Sequence, residues 1–206
     1  MISFTLIIIA ITGIVSFIAF SNEALTDKLI FYPQAVTQDN EWYRFLTCGF
    51  IHADIQHLAF NMFTLYSFGR IWEQLYVDDL GVGRAWYIVL YLSSIIVSII
   101  PSYLKNKNNY YYRSLGASGG VSAILFSTIL LIPWETLRVF VIPVPAIVFA
   151  IAYVAYTIYM GKKGSDNINH DAHLWGAVFG VAFSIAVRPE VLKIFLEQLS
   201  HPHFNV

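Results

Sequence analysis

The chain has 206 residues, of which 57% are hydrophobic and only 12% charged, with a formal net charge of −1 and a mean hydropathy of +0.62. Soluble domains draw about 25% of their residues from Asp, Glu, Lys and Arg, so this composition excludes an ordinary water-soluble globule. The near-balanced charge shows no basic patch, which excludes nucleic acid as a partner because such binding displaces counterions with clustered Lys and Arg.

A helix needs roughly 20 apolar residues to cross a hydrocarbon core of about 30 Å, and six charge-poor stretches approach that length. The expectation is an all-α polytopic membrane domain over 1–206, with six helices running roughly over 2–21, 50–76, 84–104, 116–133, 140–160 and 171–188. The first stretch lacks a basic n-region and exceeds a usual leader h-region, so it is expected to be retained. A long first loop over 22–49 holds Trp42, Tyr43 and Arg44. Helix two, with His52 near its start, carries His57 and Asn61, then Arg70 and Glu73 near its end. Helix three bears only hydroxyls, tyrosines and small residues within the apolar field. Helix four opens with Gly116-Ala117-Ser118-Gly119-Gly120 after a polar loop, helix five has Pro143 and Pro145 near its entrance, and helix six opens with His173. The tail over 189–206 reads as a helix end followed by a short segment. Cys48, the lone cysteine, has no partner for an intramolecular disulfide.

Polar side chains are costly inside a bilayer, so those that stay there are functional candidates. Helices two, four and six enter from the same side, so His57, Ser118 and His173 share one depth. Residues at i, i+3, i+4 and i+7 lie on one helical face. That spacing aligns His173, Gly176 and Gly180 on helix six, and His57, Asn61 and Thr64 on helix two. Small residues four apart let membrane helices approach closely, as Gly176 and Gly180 do on one helix and Gly119 and Ala123 on the other. A serine needs its base at hydrogen-bond range. Glycines around Ser118 give the backbone freedom, and the unpaired first N–H groups of the helix are oxyanion donors in waiting.

These motifs together resemble the rhomboid family of intramembrane serine proteases, over nearly the whole chain. His52 followed by His57-Leu58-Ala59-Phe60-Asn61 is similar to its His-x-x-x-Asn segment and the histidine before it. Gly116-Ala117-Ser118-Gly119 resembles the nucleophile motif, and Ala172-His173-Leu174-Trp175-Gly176 with Gly180 the base-bearing helix. Glu41-Trp42-Tyr43-Arg44 resembles the Trp-Arg region of the first loop, with Tyr43 where Trp is usual. The resemblance implies a bacterial-type six-helix core in which Ser118 attacks, His173 is base and then acid, and His57, Asn61 and the Ser118 N–H hold the oxyanion. Arg44, His52 and Glu73 are left with structural roles, and Asp171 is not needed by a dyad. Members often carry an aromatic residue one turn after the serine, packed on the histidine ring. Ser122 stands there in this chain, so other neighbours must orient His173. Val77 likewise replaces a glycine expected after Gly69 and Glu73.

The implied partners are transmembrane-helix substrates and the lipid bilayer, without cofactor or metal. No His-Glu-x-x-His exists to ligate zinc, and His170 with His173 lacks a third ligand. The implied location is a bacterial inner membrane, termini cytoplasmic and the site opening to the other side, although the loop charges lean weakly toward the reverse orientation. The alternatives are a non-catalytic rhomboid-like scaffold that binds transmembrane helices, and a small channel or transporter.

Overall fold

The computed structural model describes residues 3–139, 142–164, 166 and 168–202. Ile2 at the head of the first expected helix, Phe140 and Val141 at the head of the fifth, and the last four residues of the tail lie outside the described residues. Helix dominates. Among the described residues one helix, Ala85–Asn106, is by itself long and apolar enough to cross a membrane.

The N-terminal helix α1 (Phe4–Phe20) starts at Ser3, whose Oγ accepts from the Leu6 N–H. Its other first-turn groups are satisfied from far along the chain. The Glu73 carboxylate accepts from the Phe4 N–H at 2.7 Å, from Ser3 Oγ at 2.5 Å and from Thr5 Oγ1 at 3.0 Å. A carboxylate at the positive end of a helix dipole is favourably placed, and Glu73 here closes the first turn of α1 rather than the end of its own helix.

The long first loop is itself structured. It folds into α2 (Glu23–Leu29), capped by Asn22, α3 (Pro33–Asp39), opened by Pro33 and closed by Asn40 in the left-handed conformation, and the single turn α4 (Arg44–Thr47). Arg44 is buried here and ties these pieces together. Its guanidinium donates to the backbone oxygens of Asp27 and Ile30 at 2.6 and 2.7 Å, and its Nε donates to Glu41. Arg44 thus links Asp27, Ile30 and Glu41 of the first loop.

A 3₁₀ turn (Cys48–Phe50) and a short extended stretch containing His52 precede α5 (Ile55–Trp72), which Asp54 caps through the His57 N–H at 2.7 Å. The helix expected over 50–76 is thus broken near its start. Its other end widens into a π-helical segment (Glu73–Asp79). Next come α6 (Ala85–Asn106) and α7 (Ser118–Ile129), the latter shorter than the 116–133 expected.

A two-stranded hairpin, β1 (Thr136–Val139) and β2 (Ile142–Pro145), stands where the fifth helix was expected to begin, and α8 (Ala146–Lys163) starts only after it. The prolines explain the shift, because the residue before a proline is pushed out of the α region. α9 (His170–Val187) is capped by Asn169. The tail forms its own helix, α10 (Glu190–Leu199), seated by buried Val191 and by the Trp134 indole donating to Gln198 O at 2.8 Å.

α7 is the axis of the fold, packed against α5, α6, α8 and α9 and buried at every position from Gly119 to Ile129. Two glycines of α9 set its distance from α7. A Cβ on Gly176 would run into the Gly119 carbonyl, and one on Gly180 into that of Ala123. A polar thread crosses the same layer: Trp72 Nε1 donates to Ser127 Oγ at 2.7 Å, which lies 2.6 Å from Ser184 Oγ, which donates to Gly180 O at 2.8 Å. Each buried polar group along it is satisfied, as low-dielectric surroundings require.

Candidate active site

Ser118 and His173 stand on the first turns of α7 and α9, where the two backbones touch through Gly119 and Gly176. Both line one cavity of about 1100 Å³, and so do His57, Asn61, Gly116 and Gly119. Gly176 and Gly180 lie instead in the helix contact behind it. Arg44 and Glu73 are not among the residues lining the cavity: Arg44 stands in the first loop, where it bonds the oxygen of the lining residue Ile30, and Glu73 at the foot of α1.

The turn that presents Ser118 is held from two directions. Gly116 N–H donates to Cys48 O at 2.9 Å and Ala117 N–H donates to His52 Nε2 at 3.3 Å. Gly116 has φ of +121°, a conformation open mainly to glycine. A Cβ there would also meet His57 Cε1 at 2.6 Å, so the bare glycine lets the imidazole lie over the turn.

His52 is buried and its protonation is set by its partners. Nε2 accepts from Ala117, which leaves Nδ1–H to donate to Ser16 Oγ at 2.9 Å, while Ser16 donates to Phe50 O at 3.0 Å. Its ring also packs edge-on against His57 at 4.9 Å. His52 lies outside the cavity lining and supports both the serine turn and His57. Asn61 is buried, and its Nδ2 donates one hydrogen to His57 O at 3.0 Å; the amide has a second hydrogen to offer.

His173 is half-buried between two rings. The Tyr153 ring from α8 lies nearly parallel to it at 6.2 Å and 18°, and the His170 ring meets it edge-on at 5.9 Å and 71°. Tyr153 OH in turn lies 2.8 Å from Ser122 Oγ. Of the nearby carboxylates, Asp171 faces Lys105 at 3.5 Å and Asp166 accepts from His170 Nε2 at 3.1 Å. The hydrogen bond from His170 holds the Asp166 carboxyl below its usual range.

With Ser122 one turn after Ser118, other neighbours must orient His173, and the sequence pattern does not mark Tyr153 as one of them.

The rhomboid domain model matches residues 39–190. The chain belongs to the rhomboid family. Its members are integral to membranes, and this rhomboid aligns with relatives of several origins. It is 32% identical over 144 residues to RHOMBOID-like protein 12, mitochondrial, of Arabidopsis thaliana, covering 64% of this chain and 42% of that protein. It is 32% identical over 143 residues to the presenilin-associated rhomboid-like protein, mitochondrial, of Rattus norvegicus, covering 66% and 36%. With rhomboid protease GluP of Bacillus subtilis (strain 168) it is 27% identical over 185 residues, covering 87% of this chain and 34% of that protein. This rhomboid therefore spans less than half the length of each of these relatives. The family includes proteases, as the name of GluP states.

Proposed function

We propose that this rhomboid is an intramembrane serine endopeptidase that cleaves peptide bonds in or beside transmembrane helices of other membrane proteins. The observation that carries this reading is the one cavity lined by Ser118, His173, His57 and Asn61, at the ends of three helices, two of which, α7 and α9, are brought close by glycine contacts. In the proposed reaction Ser118 Oγ attacks the scissile carbonyl while His173 takes its proton. The tetrahedral oxyanion is held by the Ser118 N–H at the start of α7, by His57 and by Asn61. His173 then protonates the departing amine, and a water entering from the cavity releases the acyl group by the same proton route. A helical substrate hides its carbonyls in its own hydrogen bonds, so it must unwind locally to reach Ser118.

The same reading takes α1, α5, α6, α7, α8 and α9 as six membrane spans, with both termini cytoplasmic and the cavity opening to the opposite side. Membership of a membrane-integral family supports a membrane location; a bacterial cell membrane is the placement this reading takes, although the relatives include mitochondrial proteins as well as bacterial GluP. The test is labelling of the detergent-solubilised protein with a fluorophosphonate. Ser118→Ala and His173→Ala should abolish labelling, and Asn61→Ala or His57→Ala should slow substrate turnover about a hundredfold if each supplies one oxyanion donor. Label that persists in Ser118→Ala refutes the assignment. A wild-type chain that takes no label but still binds transmembrane peptides would be a helix-binding scaffold instead.

A further inference from the structure

A base must offer one ring nitrogen to the serine, and an imidazole on a free side chain can turn away about two bonds. In this chain the aromatic ring that lies nearly parallel to His173, with its centroid 6.2 Å away, comes from α8. The Tyr153 ring is 18° from parallel to it, a geometry that opposes rotation about the Cβ–Cγ bond. Tyr153 is itself fixed on three sides. Its hydroxyl meets Ser122 Oγ at 2.8 Å, and its ring packs against Phe126 at 5.5 Å and Phe149 at 5.9 Å. Ser122 is 3% exposed, and an unmade buried hydrogen bond is costly. His170 closes the other direction with its ring edge. Ser122 is small, and the space beside it is filled by a large residue reaching across from the adjacent helix.

We propose that Tyr153 is the positioning residue for the His173 imidazole, held by Ser122, so that orientation of the base depends on α8 as well as on α9. The inference rests on the reading of Ser118 and His173 as nucleophile and base. It makes the Ser122–Tyr153 hydrogen bond a link through which the placement of α8 reaches the reacting groups. Tyr153 touches neither the serine nor the scissile bond in this scheme and acts only through His173.

The experiment measures the maximal inactivation rate and the half-saturating concentration for a fluorophosphonate with the full-length protein in detergent, alongside thermal unfolding. Tyr153→Leu should lower the maximal rate by roughly tenfold or more while leaving half-saturation within about twofold, because misaligned reacting groups cost rate and not binding. Tyr153→Phe and Ser122→Ala should each cost a smaller and equal factor, and their combination no more than either, since they remove the same bond. Ser122→Tyr introduced into Tyr153→Leu should restore most of the rate by covering the ring from α7.

A Tyr153→Leu protein that labels at the wild-type rate overturns the proposal. So does one that loses rate together with thermal stability and is not rescued by Ser122→Tyr, since that is a packing defect. A wild-type chain that takes no label at Ser118 overturns the dyad itself and this inference with it. Normal wild-type labelling with no effect at Tyr153 overturns the inference alone.

Discussion

Gly180→Ala tests whether the α7–α9 contact sets the geometry of a site from which it is itself separate. The added Cβ would lie 2.6 Å from Ala123 Cα and 2.8 Å from its carbonyl carbon, where ordinary contact begins at 3.4 Å. The Ala123 carbonyl oxygen is nearer still, so the helices must part locally by more than about 0.8 Å, and because the obstructing atoms are backbone, no rotamer change relieves them. Overpacking of this kind costs up to about 3 kcal/mol, against which a helix-interior glycine-to-alanine change returns about 0.5–1 kcal/mol. The expected net loss is about 2 kcal/mol. Since α7 carries Ser118 and α9 carries His173, the same displacement should slow fluorophosphonate labelling by about ten- to a hundredfold. Gly161→Ala on α8 is the control, because its Cβ would meet His170 Cβ at 3.5 Å and Asp171 Oδ1 at 3.8 Å, ordinary distances. That variant should be unchanged or stabilised by about 0.5–1 kcal/mol. Thermal unfolding in detergent and labelling rate are read for both. If Gly180→Ala matches Gly161→Ala in the two measurements, the backbone contact does not govern the site and the reasoning fails.

Three further outcomes follow from particular contacts. His52→Leu strands the buried Ala117 N–H and should destabilise the protein by about 1–3 kcal/mol, with slower labelling of Ser118; wild-type behaviour in both would show that the imidazole does not hold the serine turn. Glu73→Gln removes the charge and one acceptor oxygen from the first turn of α1 and should cost about 1–2 kcal/mol, visible as faster amide exchange at Phe4. Arg44→Lys gives up the fork that joins Asp27 O, Ile30 O and Glu41, and should make the first loop more susceptible to limited proteolysis at pH 7. The Arg44 hydrogen bond holds the Glu41 carboxyl below its ordinary value of 4.5. A lowered folded value means that this pairing contributes fully above pH 4.5 and is lost as the pH falls through the folded value. The thermal difference between wild type and Arg44→Lys should thus be constant from pH 7 to about 5 and narrow below 4.5; a difference that widens in acid would contradict it.

Much of the candidate site could be read from the chain because its members sit at helix starts and helical spacing is strict. His57 with Asn61, Ser118 with Gly119, and His173 with Gly176 each needed only a local periodicity, and the cavity takes in the four polar members. Glu73 was legible as a helix-end group but not its object, since the N-terminus it satisfies lies 68 to 70 residues away. The hairpin was missed because an apolar run containing Pro143 and Pro145 reads equally as the mouth of a helix. The first loop gave no apolar periodicity, so its three short helices were invisible, although Arg44 at their junction was not. Tyr153 escaped for a deeper reason. Which face of α8 meets α9 is decided by packing, and a tyrosine among apolar residues carries no local mark of the imidazole that it covers.

The shortness of α7 has its own consequence under the membrane-spanning reading. Its 12 residues rise about 18 Å at 1.5 Å per residue, against a hydrocarbon layer of about 30 Å. The shortfall of roughly 12 Å falls to the turns at either end, whose open backbone is tolerated at that level only when neighbouring helices or water shield it. Since α5, α6, α8 and α9 ring this stub, they form the wall of a well with the nucleophile at its floor. Solvent then descends to the reaction, and the scissile segment has to be drawn out of the lipid and down into that well.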